Sequence, residues 1–302
     1  MALLIPAYLL IFSPQPGLAL RGGAYPYQYP PKGVLSEGIG KTVIGAAQTH
    51  VVAKKETLLD VAREYDLGFN ELEDLYPKQD PWIPPEGMEL VIPSQWILPE
   101  TQKEGIVVNV AELRLYYFMK KIRMVKTFPI GIGDEGWYTP LGTFRIQEKR
   151  EHPTWYIPSS LQEKYKAKTM PPGPDNPLGD YYMGLSIPGY GIHGTNIAWS
   201  VGRLVTHGCI RLYPEDIQQL FSMVKPGIPV EIIYEPVKLG VLGGRIYVEA
   251  HKDIYGRIDD FFLYGYERLE QKGLSEKVDL FKFYEVLNRQ DGMPVDITLP
   301  QS

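Results

Sequence analysis

The chain contains one cysteine, Cys209, in the run Thr206-His207-Gly208-Cys209-Ile210-Arg211-Leu212. Sixteen residues upstream of the thiol, His193 sits in Ile192-His193-Gly194-Thr195-Asn196. Two of the five histidines thus fall in Gly-flanked motifs beside the only thiol. Free cysteine titrates near ~8.5, and its thiolate is the nucleophile. A neighbouring imidazole can take the thiol proton and remain as a cation that stabilises the thiolate. Attack on a carbonyl then leaves negative charge on the former carbonyl oxygen. Backbone N–H groups beside the nucleophile hold that charge, and losing one costs roughly a hundredfold in rate. Gly208 has no side chain, so its backbone can approach a bound carbonyl closely. The pattern points to acyl transfer by Cys209 with His193 as its base. His207 either shapes the acyl site or hydrogen-bonds within its loop. Arg211 either grips a substrate carboxylate or pairs with Glu215 one turn on. A lone cysteine is more often a small buried hydrophobe. A zinc site built from His193, His207 and Cys209 has three ligands, where closed sites use four.

The bulk of the chain can build a scaffold for such a site. Of 302 residues, 44% are hydrophobic and 22% charged, which excludes disorder by composition. The net charge of -5, with both signs mixed, gives no basic face for nucleic acid. The 21 Tyr, 27 Pro and 30 Gly suit a β-rich protein with many turns. The apolar start, Met1 to Phe12, followed by Gly17-Leu18-Ala19, reads as a signal peptide over 1–19, although no Lys or Arg precedes the apolar run. Residues 20–48 read as a linker or an extended strand-like lead-in.

From Thr49 a strand–helix–helix–strand unit is expected over 49–94. His50-Val51-Val52 opens it, Leu58, Val61, Ala62 and Tyr65 share one helix face, and Thr57 caps that helix with Asp60 in its first turn. Pro77 stops the second helix, and Leu90-Val91-Ile92-Pro93 closes the unit. Strands follow at 106–110, 113–118, 122–128, 143–146 and 230–234, with a helix over 215–223. Pro153 to Pro188 reads as a long Pro- and Tyr-rich loop, the kind that lids a site. The tail, 236–302, carries one strand near 245–251 and two amphipathic helices, and reads as an accessory packing segment without chemistry.

The 49–94 unit resembles a LysM module, a small carbohydrate-binding domain, with Lys54-Lys55-Glu56 where that family usually has a Gly-Asp turn. Whether it still binds sugar or only packs is open from these residues. His193-Gly194-Thr195, a spacer, and Thr206-His207-Gly208-Cys209-Ile210-Arg211-Leu212 resemble the L,D-transpeptidases of the YkuD fold, in the LysM-bearing periplasmic ErfK/YbiS/YcfS/YnhG branch. Gly131-Ile132-Gly133, Thr139-Pro140-Leu141-Gly142 and Pro174-Asp175-Asn176-Pro177-Leu178-Gly179 extend the resemblance. It implies a mainly β fold with some α, in which the LysM-like βααβ module precedes a β-rich catalytic domain over 104–235. It further implies a periplasmic enzyme acting on peptidoglycan tetrapeptide stems without metal or organic cofactor. Cys209 would attack the diaminopimelate carbonyl, D-Ala would leave protonated by His193, and an amine would take the acyl group. That amine would come from another stem or from a lysine of an outer-membrane lipoprotein, while water would make the enzyme a carboxypeptidase. The Gly194 carbonyl would orient His193, the Gly208 and Cys209 amides would form the oxyanion hole, and Thr206, His207 and Arg211 would contact substrate. The alternatives are another cysteine hydrolase of the wall and a wall-binding protein without catalysis.

Overall fold

Continuous apolar runs such as Ile106-Val107-Val108 cannot hide on one face of a strand, because successive side chains point to opposite faces. The computed structural model, which describes residues 23–30, 40–101 and 104–300, resolves this by burying a nine-stranded sheet on both sides. Its strands lie in the order Ala24–Pro26, Met124–Pro129, Arg114–Met119, Gly105–Asn109, Pro229–Ile233, Gly142–Glu151, Tyr181–Leu185, Gly191–His193 and Ile210–Arg211. Two pairings are parallel, Pro229–Ile233 with Gly105–Asn109 and Gly191–His193 with Ile210–Arg211. Ile106, Val108, Leu115, Phe128 and Val230 point into one core. Val107, Tyr116, Phe118 and Val125 point into the other, against the N-terminal module. Leu113 adopts a left-handed turn, φ 53°, so the second strand of the first hairpin begins at Arg114.

The N-terminal module pairs Gln48–Val51 with Glu89–Ile92 and packs helices α1 (Leu58–Glu64) and α2 (Phe69–Leu75) against the sheet. The Thr57 hydroxyl accepts from the Asp60 N–H at 3.1 Å, and the Asp60 carboxylate accepts from the Thr57 N–H at 2.9 Å. This capping box contributes about 1 kcal/mol. Glu71 of α2 accepts from the guanidinium of Arg114 and, at 3.0 Å, from the Trp96 indole, all three residues being buried. Glu71→Ala leaves the Arg114 charge buried without its carboxylate and is expected to destabilise the fold by about 3–5 kcal/mol, read by denaturant unfolding. A loss below ~1 kcal/mol would show that the module and sheet are not locked through this pair.

The expected signal peptide lies outside the described residues. The described part of 20–48 is strand more than linker. Ala24–Pro26 extends the sheet edge, and Val43–Gly45 pairs with Gln95–Ile97. The cause is aromatic burial, with Tyr25 against Trp96 and Tyr27 against Phe118 at ring separations of 6.1 and 5.4 Å.

The stretch 153–188 is also more ordered than a loop. Trp155–Tyr156 pairs with Thr169–Met170 around helix α3 (Ser159–Tyr165), and Tyr181–Leu185 is a full strand of the sheet. Buried Asn176 holds the base of this flap, donating to Pro153 O at 2.8 Å and accepting from Leu178 N–H at 2.9 Å. Helix α4 (Pro214–Met223) follows the thiol motif and seats Ile217 and Leu220 in the core.

The C-terminal segment forms a three-stranded sheet, Val237–Leu242, Arg245–Ala250 and Val295–Asp296, covered by α5 (Phe261–Gln271) and α6 (Leu280–Arg289). It has its own core around Leu269, Phe283 and Leu287. A buried ionic cluster fastens it to the rest. The Lys238 ammonium lies between Glu112 and Glu249 and donates to Ile97 O at 2.7 Å, and His251 meets Glu249 at 2.6 Å.

Candidate active site

Parallel pairing sets the site. Ile192 is opposite Ile210 and His193 opposite Arg211, on strands about 4.8 Å apart. His193 and Cys209 therefore line one cavity of about 340 Å³, together with Tyr182, Trp155, His207 and Arg211. The thiol turn is tied by Thr206, whose hydroxyl donates to Cys209 O at 2.7 Å and accepts from Gly208 N–H at 3.1 Å. Gly208 has φ +98°, and a Cβ there would stand 2.5 Å from the Tyr190 ring, so glycine is required on two counts. Along both arms of the turn runs the segment 131–134. Asp134 N–H donates to Thr206 O at 3.0 Å, and Gly131 exchanges hydrogen bonds with Arg211. Gly133 must be small as well, since a Cβ would lie 2.0 Å from Trp137 O and 3.0 Å from the Gly208 Cα.

His193 is buried, and its Nδ1 lies 2.6 Å from Gly194 O. A carbonyl only accepts, so Nδ1 carries the proton and Nε2 keeps a lone pair. Burial, reinforced by the Arg211 charge, pulls the ring down to about 3, so it is a neutral base at neutral pH. Burial also pushes the Cys209 thiol up, against the opposing pull of the Gly191 backbone and Arg211. The resting pair is thus thiol and imidazole. The thiolate–imidazolium pair expected from the motif is disfavoured here because the cavity desolvates both charges.

The Gly208 amide expected in the oxyanion hole is engaged by Thr206, whereas the Cys209 N–H has no hydrogen-bond partner among the described residues. Arg211 borders the cavity, and among the described residues no carboxylate forms an ion pair with it. The alternative partner, Glu215, is held by Arg63 of α1 at 2.8 Å. His207 is exposed, and its ring lies 4.8 Å from that of Trp137, tilted by 58°.

Several cavity residues carried no local motif. Tyr182 stacks on His193 at 6.3 Å and 23°, with the Arg150 guanidinium 4.6 Å from the Tyr182 ring. Burial first and Cys209 second push the Tyr182 hydroxyl up to about 12, which keeps it a donor. The flap supplies Trp155, Tyr156, Pro158 and Leu161 as an apolar wall. Tyr and Pro enrichment in 153–188 was the one signal pointing there.

Such a cavity, holding an accessible thiol, an oriented neutral imidazole and an uncommitted backbone N–H, is the kind that performs acyl transfer by a cysteine. Residues 103–232 match the L,D-transpeptidase catalytic domain, YkuD. The chain is 35% identical over 95% of its length to the Escherichia coli K12 protein named "Probable L,D-transpeptidase YcfS", covering 92% of that protein. It is 36% identical over 91% of its length to the Salmonella typhimurium LT2 "Probable L,D-transpeptidase ErfK/SrfK", covering 92% of it. It is also 39% identical over 71% of its length to the E. coli K12 "Probable L,D-transpeptidase YbiS", covering 73% of it. The chain belongs to the L,D-transpeptidase family, in the branch of YcfS, ErfK/SrfK and YbiS.

Proposed function

We propose that the protein is a cysteine-dependent peptidoglycan L,D-transpeptidase. The observation that carries this reading is the shared cavity of Cys209 and His193, with the ring locked by Gly194 so that Nε2 is the free nitrogen. In the reaction, the Cys209 proton passes to His193 Nε2 as sulfur bonds to the diaminopimelate carbonyl of a tetrapeptide stem. The Cys209 N–H faces the oxygen that gains charge, and rotation of Thr206 would free the Gly208 amide to join it. Collapse expels D-Ala, whose amine takes the proton from His193. The thioester is then attacked by an amine, His193 takes that amine's proton, and the thiol is regenerated. Arg211 binds a carboxylate of the stem, supported by its position on the cavity wall without an ionic partner among the described residues.

The 49–94 unit has the βααβ order of a LysM-like module, with glycan binding and mere packing both open to it, and the protein is read as a periplasmic one on its apolar N-terminal run. Incubation of the protein with disaccharide-tetrapeptide, with and without a lysine-ended lipoprotein peptide, tests the reading. Dimer or lipoprotein adduct with released D-Ala supports a transpeptidase. Release of D-Ala with neither product makes it a carboxypeptidase, and no release in any arm contradicts the enzyme reading.

A further inference from the structure

The tail from Pro236 showed no chemistry in its sequence, and it lies outside the matched catalytic segment, residues 103–232. Yet one of its residues reaches the thiol turn. The Tyr255 hydroxyl donates to Gly133 O at 2.8 Å and accepts from Thr139 N–H at 3.3 Å. Thr139, fully buried, accepts from Gly133 N–H at 3.0 Å and donates to Gly208 O at 3.1 Å. Gly208 is the residue immediately before the nucleophile. Gly133 and Gly208 also approach each other backbone to backbone, closely enough that a Cβ on Gly133 would lie 3.0 Å from the Gly208 Cα.

Tyr255 is itself fixed. Its N–H donates to the Tyr234 hydroxyl at 2.9 Å, and Tyr234 donates to Asp253 at 2.5 Å. Asp253 also accepts from the N–H groups of Arg257 and Ile258, at 3.0 and 2.8 Å. The Tyr138 ring packs on Tyr255 at 4.6 Å. A turn tied by Asp253 thus holds one hydroxyl against the strap that frames Cys209.

We propose that Tyr255 is a positioning residue of the active site, acting through Thr139 and Gly133 to set the Gly208 peptide. This rests on the function proposed above. The Gly208–Cys209 peptide joins the Gly208 carbonyl that Thr139 holds to the Cys209 N–H that faces the developing oxyanion. Rotation of that peptide moves the amide away from the developing charge and leaves the cavity walls in place. The C-terminal segment is therefore part of the catalytic apparatus, and the catalytic domain is incomplete without it.

The full chain is assayed for D-Ala release from disaccharide-tetrapeptide. Tyr255→Phe keeps the ring packing and removes both hydroxyl hydrogen bonds. It is expected to lower kcat roughly tenfold with KM within about twofold, below the ~100-fold of losing an oxyanion donor outright. Alkylation of Cys209 by iodoacetamide, which uses no oxyanion hole, should stay within about twofold of the parent rate. Thr139→Val should show the same kcat loss and Thr139→Ser should recover most of it. The double variant Tyr255→Phe with Thr139→Val should equal the worse single variant, because both act through one chain of contacts. An unchanged kcat in Tyr255→Phe, losses that multiply in the double variant, or a loss matched by the unfolded fraction would overturn the assignment. Release by Cys209→Ala at the parent rate would instead overturn the function on which it rests.

Discussion

Cys209→Ser should reduce D-Ala release by at least about 10,000-fold while leaving the fold intact. An alcohol is far less acidic than a thiol and a poorer nucleophile, so the imidazole that serves the sulfur, already pulled down to about 3, cannot activate a serine hydroxyl comparably. The sulfur is not part of the packing. It is half-buried, it donates to Gly189 O at 3.6 Å, and it is absent from the core. Unfolding free energy should therefore move by less than about 1 kcal/mol. Retained release in the serine variant would mean that another group attacks, and a collapsed fold would mean that the sulfur is structural.

His193→Gln should lower kcat by about 1,000-fold or more, since no other base among the described residues combines burial, orientation and a free nitrogen in this cavity. The same variant has a stability signature. The folded ring titrates near 3, against 6.5 for the free side chain. Between these values the unfolded chain binds a proton that the folded chain does not, so stability falls as pH drops from about 6.5 towards 3 and is unaffected above that window. At ~1.4 kcal/mol per pH unit the parent protein loses about 3.5 kcal/mol more than His193→Gln on going from pH 6.5 to pH 4. Denaturant unfolding of both proteins at pH 7 and pH 4 reads the difference. Parallel losses in the two proteins would place His193 in solvent rather than in the cavity.

The chemistry was legible because its residues are close in sequence. Thr206 to Arg211 form one turn, and His193 is on the neighbouring strand. Local rules also reached the Thr57 cap, the apolar strand at 106–110 and α4. Contacts distant in sequence were not accessible that way. Glu215 could pair with Arg211 by spacing, but Arg63, 152 residues away, holds it. The Gly208 amide was expected to be free, yet the Thr206 hydroxyl two residues earlier engages it. Strand Tyr181–Leu185 was hidden inside a Pro-rich stretch because its partners, 142–151 and 191–193, are what make it a strand. Tyr182 and Tyr255 are two tyrosines among 21, and only the fold brings them to the cavity and to its supporting strap.

Mass spectrometry of the intact protein, quenched in acid during turnover of disaccharide-tetrapeptide, reads the central claim directly. The protein should gain the mass of the stem minus D-Ala, the adduct should map to the peptide holding residue 209, and hydroxylamine should remove it. A protein that turns the stem over while its thiol stays free throughout would contradict covalent catalysis at this sulfur.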